Sequence, residues 1–174
     1  MDSYEAMNAL SSDIPVGSDG VVLLPFGNGA ERMLNNRDVG SRLVNINLNN
    51  HDKAHICRAA LEGIAFSFVY GMEILKSDGI DIKVMRVGND NLFRSELFAG
   101  TIATLMEQEI EIYNTTGAIG AARAAGLHDG DFKKFGSYIM ENDHVKTYIP
   151  FKDKEPYEKA YLNWKSELES ILNK

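Results

Sequence analysis

The chain has 174 residues and a mass of 19.3 kDa, about one domain's worth at the usual ~100–200 residues and long enough to bury a core without covalent staples. At 44% hydrophobic and 25% charged it sits at the globular average, which excludes a disordered or fibrous chain. With 18 basic against 25 acidic residues, a formal charge of −7 and a pI near 5.1, it has no general attraction for phosphate backbones or anionic lipid, so no nucleic-acid or membrane partner is expected.

The single cysteine, Cys57, has no intrachain partner, and the N-terminus MDSYEAMNAL has neither a basic n-region nor an apolar h-region. The expected compartment is the cytoplasm. The longest apolar-rich stretch, Ala59 to Leu75, carries Glu62 and Glu73, and its uninterrupted apolar runs fall well short of the ~20 residues a bilayer requires.

In chain order, Ser3 is placed to cap a short helix through Leu10, and Ser11 to Gly20, rich in Ser, Asp, Pro and Gly, reads as a loop. Val21 to Leu24 is an unalternated β-prone run, the pattern of a strand covered on both faces, which Pro25 is expected to end. The segments FGNGAER and MLNNRDVGSR read as loop. Val44 to Leu48 alternates with Asn45 and Asn47, predicting a half-exposed strand, and Asn49-Asn50 supplies turn and cap chemistry. A long helix follows from about Asp52 to Ser77. Its repeat of Ile56, Ala60, Ile64, Phe68, Met72 and Leu75 predicts a packing stripe, while Ala59, Gly63, Ser67 and Gly71 permit close approach of another backbone.

Ile82 to Val87 reads as a strand running into Gly88-Asn89-Asp90-Asn91, and then a helix carries Phe93, Leu97, Phe98, Ile102 and Leu105 inward. The same order repeats, with Ile110 to Tyr113 as strand, Asn114 to Gly117 as turn and AIGAARAAG as a helix stopped by Gly126. Two successive βα units imply parallel strands and an α/β domain. From about Pro156, Tyr157, Tyr161, Trp164, Leu168 and Ile171 mark a C-terminal amphipathic helix. No composition break marks a second domain.

Several groupings bear on chemistry. HDKAH at 51–55 puts two imidazoles four apart, superficially like a zinc motif, but the acid is Asp52, the pair lies at a helix start, and neither His128 nor His144 has the spacing of a third ligand. A surface or capping role is the simpler reading. Cys57 beside Arg58 could be a lowered-pKa thiol or, more simply, a small buried hydrophobe. A standalone small enzyme built on Cys57 or the histidine pair is therefore the weakest hypothesis. GNGAER at 27–32 is either a functional loop or a tight turn with Arg32 held by a surface carboxylate. Gly88-Asn89-Asp90-Asn91 and Thr115-Thr116-Gly117 each precede a helix, whose N-terminal N–H groups favour phosphate or polar ligand atoms. Either turn alone could be a connection. Together they gain weight, since adjacent βα turns open on the edge where α/β sheets bind ligands.

GVVLLPFGNGAER, RAALEGIAFSF, VMRVGNDNLFRSELFAGTIATL and TGAIGAARAAGL, in this order, resemble the C-terminal half of FGGY-family carbohydrate kinases, most closely their xylulose kinase branch, over roughly Ile14 to Tyr161. The resemblance implies an actin-like, ribonuclease-H-like ATPase fold, with this chain as the second lobe. It implies transfer of the ATP γ-phosphoryl to a sugar hydroxyl in an interlobe cleft, with Mg²⁺ held mainly by the nucleotide and the other lobe. By the same resemblance Gly88, Asn89, Asp90, Asn91 and Leu92 contact the adenosine end of ATP, and Gly117 with Ala118 closes that pocket. No residue here matches the family's catalytic Asp, which would lie in an N-terminal lobe upstream of Met1, and no metal ligand is expected. Two departures stand out: one glycine, Gly88, where the family has consecutive glycines, and an extra residue before Glu31 in the GER loop. The alternative function is a non-catalytic actin-like domain whose cleft face dimerises or binds a protein.

Overall fold

The computed structural model describes residues 4–127 and 130–173. Ser3 and His128 therefore lie outside the described residues. The first helix, α1, spans Tyr4–Ser12, two residues past the expected end, and a 3₁₀ turn at Ser18–Gly20 sits inside the expected loop.

Strand β1 is Val22–Phe26, with Val22, Leu24 and Phe26 buried and Leu23 and Pro25 half-covered. It pairs antiparallel with β2, Gly40–Val44, in a register from Val22 opposite Val44 to Phe26 opposite Gly40. Pro25 does not end the strand. In a two-stranded ribbon each strand has a free edge, so a missing N–H on that side costs no ladder bond. Nor does a strand run from Val44 to Leu48: Asn45 turns into the left-handed region at φ 62° and Leu48 is 85% exposed. The apparent alternation came from asparagines that serve a turn, where a short polar side chain tolerates positive φ.

The long helix α2 spans Lys53–Ser77. Asp52 caps it, accepting from the Ala54 and His55 N–H groups at 2.9 and 3.3 Å, so the cap is Asp52 and not Asn49-Asn50. The buried side of α2 carries Ala59, Leu61, Gly63, Ala65, Phe66 and Val69, while of the expected stripe Ile64 and Met72 pack against the core and Phe68 and Leu75 are exposed. The reason is β1. A Cβ at Gly63 would stand 2.1 Å from the Leu23 carbonyl oxygen, so the strand lies directly on the helix backbone. The same carbonyl accepts from Trp164 Nε1 at 2.9 Å, and Trp164 packs its ring against Phe26 and Phe66. Trp164 belongs to α6, Glu155–Leu172, whose Tyr161, Trp164 and Leu168 are buried as the spacing predicts.

Near the start of α2, a buried ion pair holds the α1 connection in place. Arg58 Nε donates to Glu62 at 2.6 Å, and Glu62 also accepts from the Gly17 N–H and the Ser18 hydroxyl. Arg58 donates further to the carbonyls of Ser11 and Ile14. Both side chains are over nine-tenths buried, so each depends on the other for compensation.

A second sheet has the order β3-β4-β5. Strand β3, Met85–Gly88, is shorter than the sequence predicts and pairs parallel with β4, Ile110–Tyr113. The crossover is α3, Glu96–Met106, which buries Phe98, Ala99, Ile102, Ala103 and Met106. The parallel βα arrangement is thus present. Helix α4, Gly117–Ala125, follows β4 and has no buried residue. Two further elements escaped the sequence reading: α5, Phe132–Asn142, and β5, His144–Tyr148, which runs antiparallel to β4. β5 buries only Tyr148 and gives no clean alternation, whereas α5 buries nothing yet carries Phe132, Phe135, Ile139 and Met140 at helical spacing. Among the described residues no helix is long and apolar enough to cross a membrane.

Candidate functional site

Parallel pairing brings the two expected turns together at one edge of the second sheet. Gly88 lies opposite Tyr113, and the Tyr113 carbonyl accepts from both the Asn89 and the Thr115 N–H groups at 2.8 Å. The first turn therefore leaves β3 hydrogen-bonded to the root of the second. A Cβ at Gly88 would lie 2.4 Å from the Thr115 carbonyl oxygen, so the glycine is needed for the second turn to nest against the first. That space is taken by protein backbone, a different use of Gly88 from direct approach to a ligand.

Past Gly88, Asn89 and Asp90 are half-buried, and Asn91 sits in the left-handed region at φ 48° as a 3₁₀ turn over Asn91–Arg94 begins. Leu92 packs on the core, so its side chain anchors the turn. Ser95 then caps α3, accepting from the Phe98 N–H at 3.2 Å and donating to Asn8 at 2.6 Å. In the second turn Thr116 caps α4 by accepting from the Ile119 N–H at 3.2 Å. Gly117 and Ala118 are exposed, and a Cβ at Gly117 would meet nothing within 4 Å. The Asp143 carbonyl accepts from the Asn114 N–H at 2.6 Å, and its carboxylate pairs with Arg123 of α4, so the α5–β5 junction holds this turn from behind.

Beside the turns is a cleft of about 290 Å³. On the sheet side it is lined by Arg86, Val87, Gly88, Tyr113 and Thr115. On the other side stand Phe135, Gly136, Ile139 and Met140 of α5. Of the expected binding residues, Gly88 is the one that lines it. Arg86 and Glu111 are cross-strand partners joined at 2.8 Å, and the Tyr113 hydroxyl donates to the same Glu111 oxygen at 2.7 Å. The Tyr113 hydroxyl and Arg86 hold the Glu111 carboxyl below the usual carboxylate range, while burial and then Glu111 push the Tyr113 phenol up. The cleft thus has apolar walls and a polar rim whose charges are already paired.

Other expected groupings lie elsewhere. His55 completes a capping box with Asp52, and its other ring nitrogen lies 3.2 Å from Asp19, so HDKAH serves the α2 N-terminus. Among the described residues no three His, Cys, Asp or Glu side chains are grouped to hold a metal ion. Cys57 is a half-buried free thiol on α2. GNGAER joins β1 to β2 and leads into a 3₁₀ turn whose Leu34 is buried, with Arg32 exposed. The residues that sequence reasoning missed at the site are Arg86, Tyr113 and the α5 wall. For the first two, alternation in the two short strands was the available signal. For α5, Phe132, Phe135, Ile139 and Met140, at i, i+3, i+7 and i+8, were the available signal.

A sequence profile of the FGGY family of carbohydrate kinases, C-terminal domain, matches residues 2–128. The chain belongs to this family. It is 25% identical to the xylulose kinase of Haemophilus influenzae over 173 residues, covering 96% of the chain and 34% of that protein. It is 31% identical to the glycerol kinase of Petrotoga mobilis over 123 residues, 70% of the chain and 25% of that protein, and also similar to the gluconokinase of Bacillus subtilis. The chain thus spans about a third or less of the length of these relatives. Among solved structures it resembles the xylulose kinase of Rhodospirillum rubrum, with a TM-score of 0.75 at 21% identity over 99% of the chain and 36% of that protein. It also resembles the Plasmodium falciparum glycerol kinase solved with ADP, with a TM-score of 0.76 at 19% identity over 99% of the chain and 34% of that protein. The fold is that of the FGGY C-terminal domain, of the actin-like ATPase type, as the resemblance implied.

Proposed function

We propose that this FGGY domain is the adenosine-binding lobe of an ATP-dependent sugar kinase, with D-xylulose as the favoured acceptor and D-xylulose 5-phosphate as product. The observation that carries the reading is the pair of βα turns, locked level through the Tyr113 carbonyl at the C-terminal edge of two parallel strands. Gly88 to Leu92 and Gly117 with Ala118 are the proposed contacts. The cleft supports an adenosine end more than a triphosphate end, because its walls are largely apolar and both arginines at this edge, Arg86 and Arg123, are already paired with carboxylates. When bound, Mg·ATP supplies the transferable phosphoryl group, its charge neutralised by the metal. This chain's residues bind and orient the nucleotide. The general-base Asp and most of the sugar pocket are assigned to an N-terminal lobe, which the greater length of the relatives supports. The uncovered face of α4 supports it too. The chain alone is expected to be inactive. Xylulose is favoured by the long match to a xylulose kinase, against glycerol and gluconate, on which other relatives act by name.

The test begins with the DNA upstream of the Met1 codon. An in-phase reading frame encoding a glycine-rich, Asp-containing motif is expected, and its full product should phosphorylate D-xylulose with ATP and Mg²⁺ faster than glycerol or gluconate. Transfer to glycerol or gluconate instead would overturn the substrate. Concentration-dependent self-association with no nucleotide effect would favour a non-catalytic interaction domain.

A further inference from the structure

Residues 89–92 are held between two anchors. The near one is at β3, where the Asn89 N–H donates to the Tyr113 carbonyl at 2.8 Å. The far one is Ser95, which is buried and whose N–H donates to the Leu92 carbonyl at 2.9 Å, closing the 3₁₀ turn. Between them, no side-chain hydrogen bond to another described residue holds Asn89, Asp90 or Asn91. Where these side chains stand therefore depends on the two anchors and on Leu92 in the core. What holds Ser95 is α1: the Ser95 hydroxyl donates to Asn8 Oδ1 at 2.6 Å while accepting from the Phe98 N–H at 3.2 Å. Asn8 stands at the centre of the nine-residue α1, where asparagine is a weaker helix former than alanine, and its side chain serves a contact 87 residues away in sequence. The end of α1 is in turn tied to α2, since Arg58, buried in its pair with Glu62, donates to the Ser11 carbonyl. A second and longer bond, from the Tyr148 hydroxyl to the Arg94 carbonyl at 3.3 Å, reaches the same turn from β5.

We propose that Asn8 is a positioning residue for the nucleotide: by holding Ser95 it fixes where residues 89–92 stand before the ligand arrives. This rests on the nucleotide-binding reading and extends it to α1, a helix that carries none of the proposed contacts. A turn already held in place costs less to order on binding, and a site keeps its geometry only when the residues that support it are themselves locked. The hydrogen bond from Ser95 to Asn8 supplies that lock at the far anchor, and Tyr148 is the weaker second support.

The test measures the affinity of the chain for adenosine, an uncharged probe, and for Mg·ATP, by amide chemical shifts at Gly88, Asn89 and Gly117 in the wild type, Asn8→Ala, Asn8→Asp and Tyr148→Phe. Asn8→Ala removes the acceptor, but alanine's better helix propensity offsets the lost bond, so its unfolding midpoint should stay near wild type. Both probes should nevertheless weaken about fivefold, the equivalent of one neutral hydrogen bond, and the amides of residues 91–95 should exchange faster. Asn8→Asp keeps an oxygen for the Ser95 hydroxyl and should bind adenosine within about twofold of wild type. Tyr148→Phe should weaken both probes, and less than Asn8→Ala does. Folded Asn8→Ala that binds both probes as tightly as wild type overturns the assignment of Asn8 and leaves the nucleotide reading standing. So does an equal loss in Asn8→Asp and Asn8→Ala, since the effect would then not run through the Ser95 bond. An Asn8→Ala chain that fails to fold overturns it as well, because Asn8 would then hold the fold and not the turn. No response to either probe in the wild type overturns both readings.

Discussion

Replacing Gly63 by alanine sets two physical effects of opposite sign against each other. In a helix interior the change gains about 0.5–1 kcal/mol, because glycine loses more backbone freedom on folding than alanine. Here the new Cβ would stand 2.1 Å from the Leu23 carbonyl oxygen and 3.1 Å from its carbon, so helix and strand must separate by roughly an ångström. The strand cannot give way cheaply. Leu24 and Phe26 on β1 are almost fully buried, and the same Leu23 carbonyl accepts from Trp164 Nε1. Overpacking of this kind costs about 1–3 kcal/mol, and weakening the indole bond adds about 1 kcal/mol. The net expectation for Gly63→Ala is a loss of about 1–3 kcal/mol, or roughly 2–12 °C in Tm for a chain of this size. Urea unfolding followed by Trp164 fluorescence reads it cleanly, as Trp164 is the single tryptophan and 1% exposed. Gly136→Ala is the control, with open space at its Cβ, and should retain or gain stability. A Gly63→Ala protein as stable as wild type or more so would refute the close packing of β1 on α2.

Three further outcomes follow from the same structure. Removing one member of the buried pair, as in Glu62→Ala, strands Arg58 and should cost about 3–5 kcal/mol in urea unfolding; a loss below about 1 kcal/mol would mean that the pair is not held as described. The carboxylates of Asp52, first, and Asp19 raise the His55 pKa above its ordinary 6.5. The folded state therefore holds the proton more tightly than the unfolded chain. Its stabilising contribution is full below pH 6.5 and is lost as pH rises through the folded pKa. A His55 ring titration by NMR with its midpoint at or below 6.5 would contradict this, and Asp52→Asn should lower the midpoint. Finally, Asp143→Ala removes the partner of Arg123, and α4, at nine residues too short to persist alone, should fray. Faster amide exchange in α4 with unchanged exchange in α2 is the expected result, and equal exchange in α4 would refute the pairing's role.

The second sheet shows how far the sequence alone could be read. Ile110 to Tyr113 and the small-residue helix after it were legible because a short β-prone run, a polar Thr-Gly turn and the terminal Gly126 all agreed. The parallel pairing followed from repeated βα order. What was illegible depended on tertiary contact. The small residues Ala59, Gly63 and Ser67 of α2 do admit a second backbone, as their spacing suggested, but that β1 is the strand lying on Gly63, with Leu61, Phe66 and Val69 turned inward beside it, is a tertiary fact that hydrophobic periodicity does not report. Pro25 within β1 depends on which side of the strand is free. At the site, the turns could be found from their glycines and polar residues, but the use of Gly88 against Thr115 could not, since the two are far apart in sequence. The α5 helix was legible in principle, from Phe132, Phe135, Ile139 and Met140 at helical spacing, but what that stripe faces was not, since it lines a cleft and not the core.

The central claim, that the paired turns form a nucleotide-binding edge, is tested most directly by titrating the purified chain with Mg·ATP and following backbone amide shifts. The account predicts saturable shifts at Gly88, Asn89 and Gly117, with the α2 core unmoved. Amides at these three positions that stay in place at millimolar Mg·ATP would contradict it.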